Sequence, residues 1–160
     1  MSEECSPQTF PAVETVYPLA IAAYDTAMKR FDAVDSKLNT LITFAVTVSL
    51  AVPVLASTKN LSFRSYWLVA AVLFFVFGVG SATFARLKGK LILLDPKVLY
   101  DSYLDLDEWG FKRHTIYWAG ENWRHNQGLI NRNGALAAIA ATLFALEAVA
   151  VGAWVLAANL

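Results

Sequence analysis

The sequence predicts an all-α integral membrane protein with three predicted transmembrane helices and a cytoplasmic helical extension. Apolar stretches run from Leu38 to Ser57, Ser65 to Ala85 and Ala135 to Ala158, and the single charge within them is Glu147. Each offers about twenty residues or more, which at a rise of 1.5 Å per residue crosses roughly 30 Å of hydrocarbon. Apolar residues make up 57% of the 160 and charged residues 16%, so little chain is left for a separate catalytic domain. The basic residues are unevenly divided. Eleven fall before the first stretch or between the second and third, whereas only Lys59 and Arg64 fall between the first and second. By the positive-inside rule the N-terminus and the long loop are cytoplasmic and the C-terminus is external.

Residues 1–18 carry Glu3, Glu4, Pro7, Pro11 and Pro18 without a basic leading region, and read as a flexible N-terminal tail rather than a cleaved signal. The lone Cys5 has no partner for an internal disulfide and receives no role. Over residues 19–37 a cytoplasmic lead-in helix is expected, because Ala20, Tyr24, Ala27, Phe31, Val34 and Leu38 recur at helical steps. It should enter the membrane unbroken, with Lys37 placed to snorkel at the boundary. Residues 38–85 form a transmembrane hairpin. Its short loop lies between Ser57 and Ser65, Tyr66 and Trp67 are interfacial aromatics, and Gly78, Gly80, Ser81, Ala82 and Ala85 permit close helix contact.

Residues 86–134 read as a cytoplasmic helical collar. Pro96 begins a short helix to about Leu104, and Asp105, Asp107 and Glu108 favour the start of another, where negative charge suits the helix dipole. Trp109, Ile116, Trp123, Ile130, Ala137, Phe144 and Val151 then recur every seven residues, so this helix continues into the third span, residues 135–160. The glycines at 110, 120, 128 and 134 each cost about 1 kcal/mol relative to alanine and mark places for a kink or break. Ala137 with Ala141, and Ala148 with Gly152, give small-residue spacings for an oligomer face or for intrachain packing.

Glu147 is the intramembrane polar site. A charge at a helix centre costs on the order of 2.5–3.5 kcal/mol, so the residue requires a partner or water. Thr43, Thr47, Ser49 and Ser81 are the hydroxyls within reach of one chain, and in an oligomer the same Glu could ring an axis. Three readings stay open: a protonated carboxyl that fixes packing, a residue lining a water-filled pore, and a proton or ion coupling site. Lys112, Arg113, Trp118, Trp123 and Arg124 form a second expected surface, on which rings and cations receive a ligand or partner. Trp109, Tyr117, Asn122 and Asn126 interleave with it, and the competing reading packs the aromatics against the N-terminal helix. His114 and His125 are too far apart for one ion, and Glu121 with His125 gives only two metal ligands. There is no nucleophile elbow, phosphate loop or CxxC motif, so no catalytic residue, metal or cofactor is assigned and no enzyme is expected.

The run Arg30-Phe-Asp-Ala-Val-Asp-Ser-Lys-Leu-Asn-Thr-Leu-Ile leading into a span resembles the Asp-x-Lys helix of small bacterial membrane effectors of Pycsar cyclic-pyrimidine defence systems, and of SLATT-type effectors. The hairpin and the Glu121-Asn122 helix leading into a later span are also similar, whereas the third span and Glu147 depart from the pattern. The resemblance implies a multi-helix protein that responds to a nucleotide signal and impairs the membrane. Taken with the expected topology, it leads to the expectation of a homo-oligomeric effector of the bacterial inner membrane, triggered by a nucleotide signal or a cytoplasmic protein partner, with no nucleic acid polymer involved. A non-conducting adaptor and a small ion-coupled transporter are the alternatives.

The topology is tested by single cysteines at Asn60, Asp107 and Asn159 in a chain with Cys5→Ser. An impermeant thiol reagent applied to intact cells is expected to label positions 60 and 159 but not 107. Labelling at 107 from outside would reverse the orientation.

Overall fold

The computed structural model describes residues 12–59, 65–87, 89, 91–93, 96–103 and 105–157, and these build an all-helical chain. The elements are α1 (Val13–Lys59), α2 (Tyr66–Leu87), α3 (Pro96–Tyr103) and α4 (Glu108–Ala157). Of these, α1, α2 and α4 are long and apolar enough to cross a membrane. Cys5, Arg64, Lys88, Lys90, Asp95, the centre of the hairpin loop and residues 158–160 lie outside the described residues.

The helix expected from Leu19 begins at Val13 instead. Thr15 and Val16 donate their N–H groups to the Ala12 carbonyl at 3.1 and 2.9 Å. Pro18 lacks the donor that would serve the Glu14 carbonyl, so the start of the helix is one backbone bond short. Val13 is buried and Glu14 is ion-paired, so the first turn is held by tertiary contacts that local composition does not reveal. α4 runs through all four glycines without interruption, since no proline removes a bond from its ladder. Asp107 caps it: its Oδ1 accepts the Gly110 N–H at 2.8 Å, satisfying one of the free donors of the first turn.

The chain divides into two compact units, one of Met1–Lys29 with Leu91–Gly128 and the other of Arg30–Lys90 with Leu129–Leu160. In the first unit, Tyr103 of α3 meets the Phe111 and His114 rings of α4 edge-on at 6.4 and 5.6 Å. In the second, small residues line the helix contacts around a few large buried side chains, and most of the other large apolar residues face outward. Ala45, Ala82, Ala85, Ala137 and Ala140 surround Leu38 and Phe144 in one buried layer. Ala56, Ala71 and Ala150 accompany Val151 and Trp154 in another. Leu50, Val54, Leu73, Phe77, Ile139 and Val149 face outward. Water would penalise such an apolar surface, whereas hydrocarbon does not, and small interfacial residues let helix backbones approach for dispersion contact.

The heptad stripe of α4 is used within the chain over its second half, because Ile130, Ala137, Phe144 and Val151 are all buried. Gly78 makes the tightest seat. A Cβ there would lie 2.5 Å from Cε1 of the buried Phe144 ring, while at Gly80 it would meet nothing within 4 Å. Gly78→Ala is therefore expected to destabilise the protein by about 1–3 kcal/mol through overpacking. Gly80→Ala should be neutral or mildly stabilising through helix propensity. Unfolding of both variants in one detergent checks this, and equal stability would remove the Phe144 seat as a constraint.

Candidate functional site

Glu147 follows Phe144 by three residues and precedes Ala150 and Val151 by three and four, so the helical period that buries those apolar side chains carries the acid inward with them. It is 1% exposed and stands between the two apolar layers. Ser49 of α1 donates its hydroxyl to Glu147 Oε1 at 2.8 Å. The other oxygen, Oε2, is buried without a hydrogen-bond partner among the described residues. Thr43 and Thr47 direct their hydroxyls to the carbonyls of Asn39 and Thr43 at 2.9 and 2.8 Å. Ser49 thus supplies the bond for which the sequence offers several hydroxyls.

A cleft of about 260 Å³ adjoins the pair, with Val52, Leu68, Phe75 and Val151 in its otherwise apolar wall. Leaving a buried oxygen unmatched costs about 1–3 kcal/mol. The site can fix the packing of α1 against α4 through Ser49, and it presents one hydrogen-bonding atom that entering water would satisfy. Around it Ala140, Ala150 and Trp154 are buried, and the cleft wall among the described residues is apolar apart from Ser49 and Glu147 themselves.

The five residues of the second expected surface do not converge. Lys112 donates to both Glu14 oxygens at 2.9 and 2.8 Å and to Glu108 at 2.7 Å, and its side chain is 16% exposed. The Arg113 guanidinium lies 5.5 Å from the Trp109 ring centre and borders a shallow depression with Val13, Val16 and Ile116. Trp118 meets Tyr24 edge-on at 5.8 Å, as expected of aromatics packed on the N-terminal helix. Trp118 and Trp123 share a separate cleft of about 210 Å³ with Ala20, Ala23, Ala27 and Asn122. Arg124 is exposed.

Two participants were not legible as such. Glu14 belonged to the expected tail, yet it anchors Lys112. Asn126 is buried and bonded twice to one backbone position, accepting from the Ile92 N–H at 2.9 Å and donating to the Ile92 carbonyl at 3.1 Å. Its place four residues before Ile130, on the apolar side of the helix, was the available signal. Glu121 and His125 are exposed, and no three His, Cys, Asp or Glu side chains gather among the described residues. No family model matches the chain, and no curated protein or solved structure matches it.

The hydrogen bonds that Lys112 donates to Glu108 and then to Glu14 push it up to about 12, and accepting from Lys112 holds Glu108 below the usual carboxylate range. The raised lysine contributes stability that is complete below the ordinary value of 10.5 and is lost as pH rises through about 12. The lowered glutamate contributes stability that is present above 4.5 and is lost as pH falls through its depressed value. Lys112→Met should therefore lower the thermal midpoint by an amount that stays constant between roughly pH 5 and 10 and shrinks outside that window. A difference that varies steadily across neutral pH would show that another group controls the contact.

Proposed function

We propose that the chain is a multi-pass protein of the bacterial inner membrane with its N-terminus in the cytoplasm. In this reading it is a non-enzymatic homo-oligomeric effector that opens the bilayer to ions when its first unit receives a nucleotide or a protein partner. The observation that carries the proposal is the Glu147 carboxyl, buried among outward-facing apolar helices with one oxygen bonded and the other unmatched. A static anchor gains nothing from such an oxygen, whereas admission of water to the adjoining cleft would satisfy it. The resting arrangement then favours closure through apolar packing and opening through solvation of the acid. Gly152 is exposed with open space above its Cα, so the Ala148 and Gly152 side of α4 is left for contact between copies.

A non-conducting adaptor is the second reading. It is favoured by the Ser49 bond and by the apolar wall around the pair, both of which suit a packing device.

Ion efflux from liposomes holding the purified full chain separates the two. The effector reading expects flux that rises with protein density, altered conductance or cation selectivity in Glu147→Gln, and loss of gated behaviour in Glu147→Leu. No flux from correctly inserted wild-type protein, at any density and with cytoplasmic extract added, would favour the adaptor. Wild-type conductance in an intact Glu147→Leu oligomer would remove the acid from the permeation path.

A further inference from the structure

A second buried polar atom without a partner lies in the Arg30–Lys90 and Leu129–Leu160 unit, away from Glu147. Asn133 of α4 is 4% exposed, and its Oδ1 has no hydrogen-bond partner among the described residues. It borders a cleft of about 220 Å³ together with Asp35 of α1 and Arg86 of α2, over a floor that includes Phe31, Val34 and Leu38. Arg86 Nε donates to Asp35 Oδ1 at 3.1 Å, and an Nη of the same guanidinium donates to Asn39 Oδ1. Arg86 and Asp35 remain partly exposed, so their outer atoms are free to meet a further group. Roughly seven waters at ~30 Å³ each would fill the volume, more than one unsatisfied carbonyl requires.

We propose that this cleft seats the headgroup of a zwitterionic phospholipid bearing a protonated amine, with the ammonium donating to Asn133 and Asp35 and the phosphate accepting from Arg86. Three features select that chemistry. The Asn133 oxygen needs an N–H or O–H donor, which a quaternary choline nitrogen lacks. Arg86 and Asp35 form a pair of zero formal charge, matching a neutral zwitterion and not an anionic headgroup. The site also lies one residue before the end of α2, beside the exposed Leu87 and Phe84, where acyl chains could run along an apolar surface. The inference rests on the membrane reading proposed above.

The test uses the full-length protein in a mild detergent with lipids of identical acyl chains, namely phosphatidylethanolamine, its N-monomethyl and N,N-dimethyl derivatives, and phosphatidylcholine. The headgroup charge stays constant while N–H donors are removed one at a time. Native mass spectrometry is expected to show full retention of the first two, which can donate to both Asn133 and Asp35, intermediate retention of the N,N-dimethyl lipid with its single N–H, and at least fivefold weaker retention of phosphatidylcholine than of phosphatidylethanolamine. Asn133→Leu should weaken that discrimination, leaving only the part that Asp35 provides, and phosphatidylglycerol should not outcompete phosphatidylethanolamine. Equal retention of phosphatidylethanolamine and phosphatidylcholine would overturn the proposal. So would equal binding of water-soluble glycerophosphoethanolamine, which would show that no lipid is selected. Alkaline carbonate extraction is run in parallel. Release of the chain from membranes would refute the membrane reading itself, whereas retention with no headgroup preference would refute only the site.

Discussion

Close approach of α1, α2 and α4 through alanine and glycine is the constraint on which the second unit depends. Ala45, Ala82, Ala137 and Ala140 supply contact surfaces without thickness, and Gly78 leaves room for the Phe144 ring. Contact between such helices is short-range dispersion, which falls away within an ångström of misfit. The outward placement of Leu50, Phe77 and Val149 is the arrangement that hydrocarbon surroundings would favour, since hiding a leucine there brings no hydrophobic gain.

That packing determines what a single acid can do. Glu147 is carried inward by its position among Phe144, Ala150 and Val151, and there the Ser49 hydroxyl donates to one of its oxygens. One hydroxyl cannot satisfy two carboxyl oxygens. The pair therefore joins α1 to α4 while leaving a demand for hydration inside an apolar unit. Asn133 presents the same kind of demand beside Arg86 and Asp35, where a polar ligand rather than a helix neighbour would meet it.

Ion pairs, ring contacts and side-chain bonds to the backbone hold the described residues of the Met1–Lys29 and Leu91–Gly128 unit. Lys112 is held by Glu14 and Glu108, Tyr24 meets Trp118, and Asn126 ties the otherwise irregular segment at Ile92 to α4. Committing Lys112 to two carboxylates withdraws it from anion binding, and Arg113 stacks on Trp109 at a different depression from the one that Trp118 and Trp123 line. A cluster of aromatic and basic residues in sequence is thus divided by the helical period into faces with separate duties.

The sequence by itself determined the helical class, the three long apolar helices, the short helix at Pro96 and the place of Glu147 within the last of the long helices, because length, composition and a 3.6-residue period are local properties. Continuity of α4 through its glycines followed from the absence of proline, although each glycine argued locally against it. Tertiary structure alone decided that α1 starts at Val13, since a buried valine and an ion pair across ninety-eight residues hold its first turn. It also selected Ser49 among several hydroxyls, exposed the unmatched oxygens of Glu147 and Asn133, and separated Lys112, Arg113 and Trp118. Hydrogen-bond partners depend on the rotation and height of one helix against another, and a one-dimensional pattern fixes the face of each helix without fixing which atoms meet across it.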